Sequence, residues 1–185
     1  RRNNVEGTRN VLTAIERVGS GRSDGGPRLV HCSSVVTVAI AEGAEPAHED
    51  LPWNFAAHGL TDGYAITKRE SEELALAAAA KLDVVVVNPT YMLGPLDARP
   101  SSGQMIIGVV KGELPGFPGG GNNFVDVRDV CRGMILAWHR GRRGQRYILG
   151  GRDMQYGDAM RLFAKVAGVK PPRWNIPAPL AKGLG

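Results

Sequence analysis

The stretch "GYAITKRESEELALAAAAKLDVVVVNP", residues 63–89, holds two elements back to back. From Tyr64 to about Lys81 the residues are mostly Ala, Leu, Glu and Lys, all good helix formers, with Leu74, Leu76 and the alanines supplying one apolar face. "LDVVVVNP" then runs apolar without polar alternation, the pattern of a strand covered on both faces, and Pro89 ends it. Upstream, after the turn-rich "SGRSDGGP" (20–27), "RLVHCSSVVTV" (28–38) is a β-branched run that predicts a buried strand ending near Ser33. Strand, helix, strand in that order implies a parallel crossover, and so an α/β fold with a doubly wound parallel sheet.

Working outward, "VEGTRNVLTAIERVG" (5–19) spaces Val5, Val11, Leu12, Ile15 and Val18 as an amphipathic helix that stops at Gly19. Residues 41–61 read as loop. Beyond Pro89 the pattern predicts a helix over 103–111, a Gly/Pro loop "GELPGFPGGGNN" and a short strand "NFVDV". A helix "RDVCRGMILAWHR", a strand "QRYILG" and a helix "GDAMRLFAKVAG" follow.

Composition narrows the function. A chain of 185 residues, 43% of them hydrophobic, supports one sizeable core, and no apolar run reaches the length of a membrane-spanning helix. "RRNNVEGTRN" has no apolar segment behind its arginines to act as a signal peptide, so a cytoplasmic location is expected. Cys32 and Cys131 lack metal or redox spacing and read as small core residues, and the scattered histidines lack metal spacing too. The net charge of +5 is densest in "HRGRRGQR" (139–146), which reads as a solvated basic turn: it carries no aromatic ladder and no nucleic-acid module. An anionic cofactor or substrate accounts for the sign as well.

In an open parallel sheet, ligands bind off the carboxyl ends of the strands. Ser33 and Ser34 follow one strand, Asn88, Pro89 and Thr90 the next, and Tyr64 and Lys68 share one face of the helix between them. A phenol titrates near 10, and a nearby ammonium favours its ionised form, which suits proton transfer to a substrate oxygen held by a serine hydroxyl. A solvated tyrosine beside a helix lysine satisfies the same spacing. The order Ser, Tyr-x-x-x-Lys, Asn-Pro on the right elements favours the chemical reading, with a nicotinamide carrying the hydride.

These segments resemble the extended short-chain dehydrogenase/reductases, the superfamily of NAD-dependent epimerases/dehydratases. "NNVEGTRNVLTA" is similar to the family's helix before the catalytic strand, "RLVHCSSVVTV" to the serine strand and "GYAITKRESEE" to the Tyr/Lys helix. "VVVVNPTYMLGPLDARPSSGQM" and "NFVDVRDVCRGMILAW" are similar to its later segments. The resemblance implies an NAD(P)-binding Rossmann-like fold in which Ser34 orients the substrate oxygen, with Ser33 as the alternative in register. Tyr64 would be the general acid/base, and Lys68 would hold the nicotinamide ribose and ease the tyrosine's proton transfer. Asn4, Ser33, Pro89 and Thr90 would lie on the cofactor side, with Ser101 and Ser102 as weaker candidates there. Asp126 and Arg128 read either as facing the substrate or as a pin between the last strand and its helix, the pin being favoured, and Trp53 and Phe55 as a loop anchor or a cover for an apolar substrate.

"VNPTYMLGP" and "YILGG" are similar to the branch of dihydroflavonol 4-reductase, 3β-hydroxysteroid dehydrogenase and hopanoid-associated epimerase-like proteins. "VVTVAI" departs from the "VYG" signature of nucleotide-sugar epimerases, and no acidic pair of the dehydratase type adjoins the serine. The implied function is an NAD(P)-dependent oxidoreductase of a ketone/alcohol substrate, using NADP or NAD. The alternatives are a sugar epimerase/dehydratase with retained NAD and a non-catalytic dinucleotide-binding protein. Implied partners are a small-molecule substrate and, as a family trait, a second copy in a homodimer, with neither nucleic acid nor membrane. The family's opening strand, glycine-rich turn and helix do not precede Arg1, and "PLAKGLG" stops short of its usual end, so a fragment lacking its N-terminal strands and C-terminal end is expected. Residues 1–90 would be the C-terminal half of the dinucleotide-binding domain, and 91–185 a substrate-side region interleaved with the last strands.

Overall fold

The computed structural model describes residues 2–20, 26–43, 45–60, 62–98 and 101–177. Most of the expected turn at 20–27 and the segment "PLAKGLG" lie outside the described residues. The chain forms two compact units: Arg1–Pro89 with Asp129–Leu149, and Thr90–Arg128 with Gly150–Gly185. The chain leaves the first unit after Pro89 and returns to it at Asp129.

The first unit is built on a three-stranded parallel sheet, β1 (Leu29–Cys32), β2 (Val84–Pro89) and β6 (Arg146–Leu149), in the order β1-β2-β6. All six residues of β2 are buried. Their side chains alternate between two layers, as a strand with both faces covered must. Val84 and Val86 pack with Leu12 of α1 (Gly7–Gly19) and with Ala75 and Leu76 of α2 (Gly63–Ala78). Val85 and Val87 pack with Met134 and Ala137 of α4 (Val127–Arg140) on the opposite face. Helices on both faces of a parallel sheet give the doubly wound α/β arrangement that the order of elements implied.

Two expectations need correction. The strand before Ser33 is only half-buried, because among the described residues β1 pairs with β2 alone and its other edge is open. For the same reason Cys32, at the end of β1, is exposed, and Cys131 lies on the outer side of α4, so neither is a core residue.

In the second unit, β5 (Gly121–Asp126) pairs parallel with β3 (Tyr91–Leu93) and antiparallel with β7 (Arg152–Gln155). Phe124 of β5 meets Tyr91, Tyr156 and Phe163 edge-on, with ring centroids 5.2, 6.3 and 6.4 Å away. β4 (Gly116–Pro118) pairs with β8 (Trp174–Ile176) inside and beyond stretches that read as loop. The helices α3 (Gln104–Lys111) and α5 (Tyr156–Ala167) each end at a glycine in the left-handed region, Gly112 and Gly168, both at φ +69°. Only glycine adopts that cap without a side-chain penalty.

Candidate active site

β1 stops at Cys32, but the amide of Ser33 still donates to the carbonyl of Val87 at 2.8 Å, so the ladder with β2 carries one residue further. A 3-10 turn, Val35–Thr37, follows at once. The hydroxyl of Ser34 caps it by accepting from the Val36 amide at 3.4 Å. The chain thus turns away from the sheet at Ser34.

α2 is aimed at this turn. Asp62 caps its first turn, accepting from the amides of Tyr64 and Ala65 at 2.9 and 3.0 Å, which sets the helix start one residue ahead of the tyrosine. Tyr64, Lys68 and Glu72 then recur every four residues along one side of the helix. The Lys68 ammonium donates to the carbonyl of Cys32 at 3.1 Å and lies 3.5 Å from that of Ser33, so α2 is fastened to the carboxyl end of β1. Tyr64, one turn before, is 55% exposed, and its phenol is open to solvent and to a ligand. Asn4 joins the same turn, with its amide donating to the Thr67 hydroxyl at 3.0 Å.

The two serines differ. Ser33 is 5% exposed, its hydroxyl 3.4 Å from that of Thr37, while Ser34 is only partly buried. Pro89 is buried at the end of β2, in register with Leu149. Thr90 opens the second unit and donates to Asn123 at 2.9 Å. In that unit the Ser102 carbonyl accepts from the Tyr91 hydroxyl at 3.3 Å, and Ser101 is exposed. Asp126 accepts from the Arg128 amide at 2.8 Å and pairs with the Arg128 guanidinium at 2.5 Å. Trp53 stacks on Phe55, with centroids 5.7 Å apart, and donates to the Val36 carbonyl at 3.0 Å, which anchors its loop to the turn after Ser34.

Sequence reasoning missed what lies beneath. Glu72 is fully buried, with Thr37 Oγ1 and Asn88 Nδ2 at 2.5 and 2.6 Å from Oε2 and Arg146 Nη1 at 3.0 Å from Oε1. Burial pushes the Glu72 carboxyl up. The hydrogen bonds from Ser33, Thr37, Arg146 and Asn88 more than offset this and hold it below its ordinary value. Arg146 belongs to the basic run read as a solvated turn, yet its side chain is only 14% exposed and serves this internal carboxylate. His31, on β1, titrates at about 4, lowered first by burial and then by the Lys68 charge, against the pull of Glu72.

Residues 1–150 match the NAD dependent epimerase/dehydratase family. The chain belongs to that family. It is 32% identical over 182 residues to "Putative dihydroflavonol 4-reductase" of Synechocystis sp., covering 95% of this chain and 51% of that protein. It is 34% identical over 184 residues to sterol demethylase protein B of Methylococcus capsulatus, covering 98% and 53%. The chain thus spans about half the length of these curated relatives. Among solved structures, a nucleoside-diphosphate-sugar epimerase from Pseudomonas aeruginosa superposes with a TM-score of 0.83 at 26% identity, covering 98% of this chain and 59% of that one. Other solved relatives are complexed with NADPH or with NAD. The family is a cofactor-dependent one. Lys68 and the exposed Tyr64 lie at the carboxyl end of β1, where a parallel sheet of this kind takes its ligand. No helix among the described residues is long and apolar enough to cross a membrane.

Proposed function

We propose that this chain carries the proton-transfer centre of an NAD(P)-dependent oxidoreductase acting on a ketone/alcohol pair, of the dihydroflavonol-reductase type. The observation that carries the reading is the bond from Lys68 Nζ to the Cys32 carbonyl, which fastens the Tyr64/Lys68 side of α2 to the strand end that bears Ser34.

In this reading the Ser34 hydroxyl donates to the substrate oxygen and fixes its position. Tyr64 gives that oxygen its proton on reduction and takes it back on oxidation. Lys68 holds the ribose hydroxyls and keeps a positive charge close to the phenol. Bound NAD(P) supplies the hydride, which no side chain here can carry. Asn4 holds the Tyr64/Lys68 turn through Thr67, and Pro89 closes the cofactor side of the first unit, with Thr90 following it in the chain. Ser34 is favoured over Ser33 because the Ser33 hydroxyl is committed to buried partners.

Likeness to the dihydroflavonol-reductase-type relative supports a reductase. Likeness to the sugar epimerase supports the second reading, an epimerase or dehydratase that keeps its NAD through the cycle. Steady-state reduction of a panel of flavonoid-like, steroid-like and sugar ketones by the intact protein with NADPH or NADH tests the choice. Turnover that consumes added cofactor supports the reductase. Cofactor that stays tightly bound and returns to its starting state supports the epimerase. No turnover with any of them, together with weak or absent cofactor binding, contradicts both. The 185-residue chain by itself is proposed to be weakly active or inactive, and measurable ketone turnover by it refutes that.

A further inference from the structure

Among the described residues Glu72 is the largest fully buried side chain. An ionised carboxylate in that position is costly unless every lone pair is satisfied, and an apolar residue of similar size is often as stable, so packing alone does not account for it. Its partners come from four different segments: Ser33 and Thr37 after β1, Asn88 of β2, Arg146 of β6, and Arg69 of its own helix, whose Nη1 lies 3.9 Å away.

Two of those partners also hold the backbone of Ser34. Its carbonyl lies 2.7 Å from Thr37 Oγ1 and 3.2 Å from Asn88 Nδ2. Thr37 has one hydroxyl proton, and Glu72 Oε2 and the Ser34 carbonyl compete for it. The Asn88 amide has two protons for three acceptors: Glu72, the Thr37 oxygen at 2.8 Å and the Ser34 carbonyl. The hydrogen-bond demand of Glu72 therefore decides which proton the Ser34 carbonyl receives. One turn earlier on the same helix, Lys68 holds the carbonyls of Cys32 and Ser33. Each carbonyl from Cys32 to Ser34 is thus governed by α2, directly through Lys68 or indirectly through Glu72.

We propose that Glu72 is a positioning residue: through Thr37 and Asn88 it sets the orientation of the Ser33–Ser34 turn, and with it the place of the Ser34 hydroxyl relative to Tyr64. This rests on the catalytic reading of Ser34 and Tyr64 given above. Misplacing a reacting group by a fraction of an ångström to an ångström lowers the chemical rate by about 10- to 100-fold without touching binding.

The test is steady-state kinetics and NAD(P)H binding of the intact protein with Glu72→Gln and Thr37→Val. Glu72→Gln keeps the shape but places an amide where donors converge. Thr37→Val removes the bridge to the Ser34 carbonyl and leaves the carboxylate its Asn88 and Arg146 partners. Both are expected to lower kcat by about 10-fold or more while KM and the cofactor Kd stay within about 2-fold. If Glu72→Gln fails to fold, Thr37→Val alone decides. Variants that lose thermal stability but keep kcat, or that lose activity through KM or cofactor Kd, overturn the positioning role. A Tyr64→Phe control separates the two levels: if it retains full kcat, the catalytic reading itself has failed, whereas an inactive Tyr64→Phe beside a fully active Thr37→Val sinks only the role of Glu72.

Discussion

The ammonium of Lys68 sits 3.1 Å from the backbone carbonyl of Cys32, thirty-six residues earlier in the chain, and this bond ties the middle of the fold together. It closes the β1-α2-β2 crossover at the end where a ligand binds. Lys68→Met removes the donor and leaves that carbonyl without its ammonium partner. It is expected to cost about 1 kcal/mol of stability, read as a lower midpoint in urea at unchanged slope. An unchanged midpoint would mean that the bond does not hold α2 to the strand.

Asp62 starts the helix that carries Tyr64 by capping two amides. Asp62→Ala should destabilise the chain by about 1 kcal/mol, whereas Asp62→Asn, which keeps an acceptor, should cost less. Equal losses in the two variants would contradict the capping role.

The β2 valines make the core of the first unit on both faces. Val86→Ala and Val85→Ala each remove buried methyls and should cost about 2 kcal/mol in urea unfolding, one against α2 and the other against α4. A loss at only one of them would mean that the sheet is covered on a single side.

His31 gives the stability of the chain a pH dependence. Its folded-state value is lowered from 6.5 to about 4, so between those values the unfolded chain holds a proton that the folded chain refuses. Stability therefore rises with pH across that window. Glu72, held below its ordinary 4.5, adds its own loss only at lower pH. His31→Leu should flatten unfolding free energy between pH 4.5 and 6.5, and a slope equal to the parent's would contradict the assignment.

Cys32 and Cys131 are both exposed, but burial around the Cys32 sulfur pushes its thiol up, so a thiol reagent should modify Cys131 in the native chain at close to its rate in the unfolded chain and Cys32 more slowly. Equal native-state rates at the two would contradict this difference.

Much of this was readable in the sequence because it rests on local signals. Four valines in a row, bounded by Pro89, read as a strand with both faces covered, and the Ala/Leu/Glu/Lys run before them reads as a helix. Their order then forces the parallel crossover that brings Ser34, Tyr64 and Lys68 to one end. The short strands β3, β4, β7 and β8 escaped because three or four residues carry too little periodicity, and their pairing is decided by partners far away in sequence. Glu72 escaped for a sharper reason. In "KRESEEL" three glutamates look alike, and only Glu72, eight residues after Tyr64, is fully buried. Its partner Arg146 was hidden in a basic run, where nothing local distinguishes the one arginine that enters the core. β1 is half-buried rather than buried because its second edge has no partner strand among the described residues.

The central claim is that Tyr64 transfers the proton. The most direct test is the single-turnover rate of ketone reduction by the intact protein, parent against Tyr64→Phe, at saturating NADPH. Phenylalanine keeps the ring and removes only the hydroxyl, so the rate is expected to fall by about 10²- to 10⁴-fold with cofactor affinity retained. A Tyr64→Phe protein that reduces the ketone at the parent's rate would show that the proton comes from elsewhere.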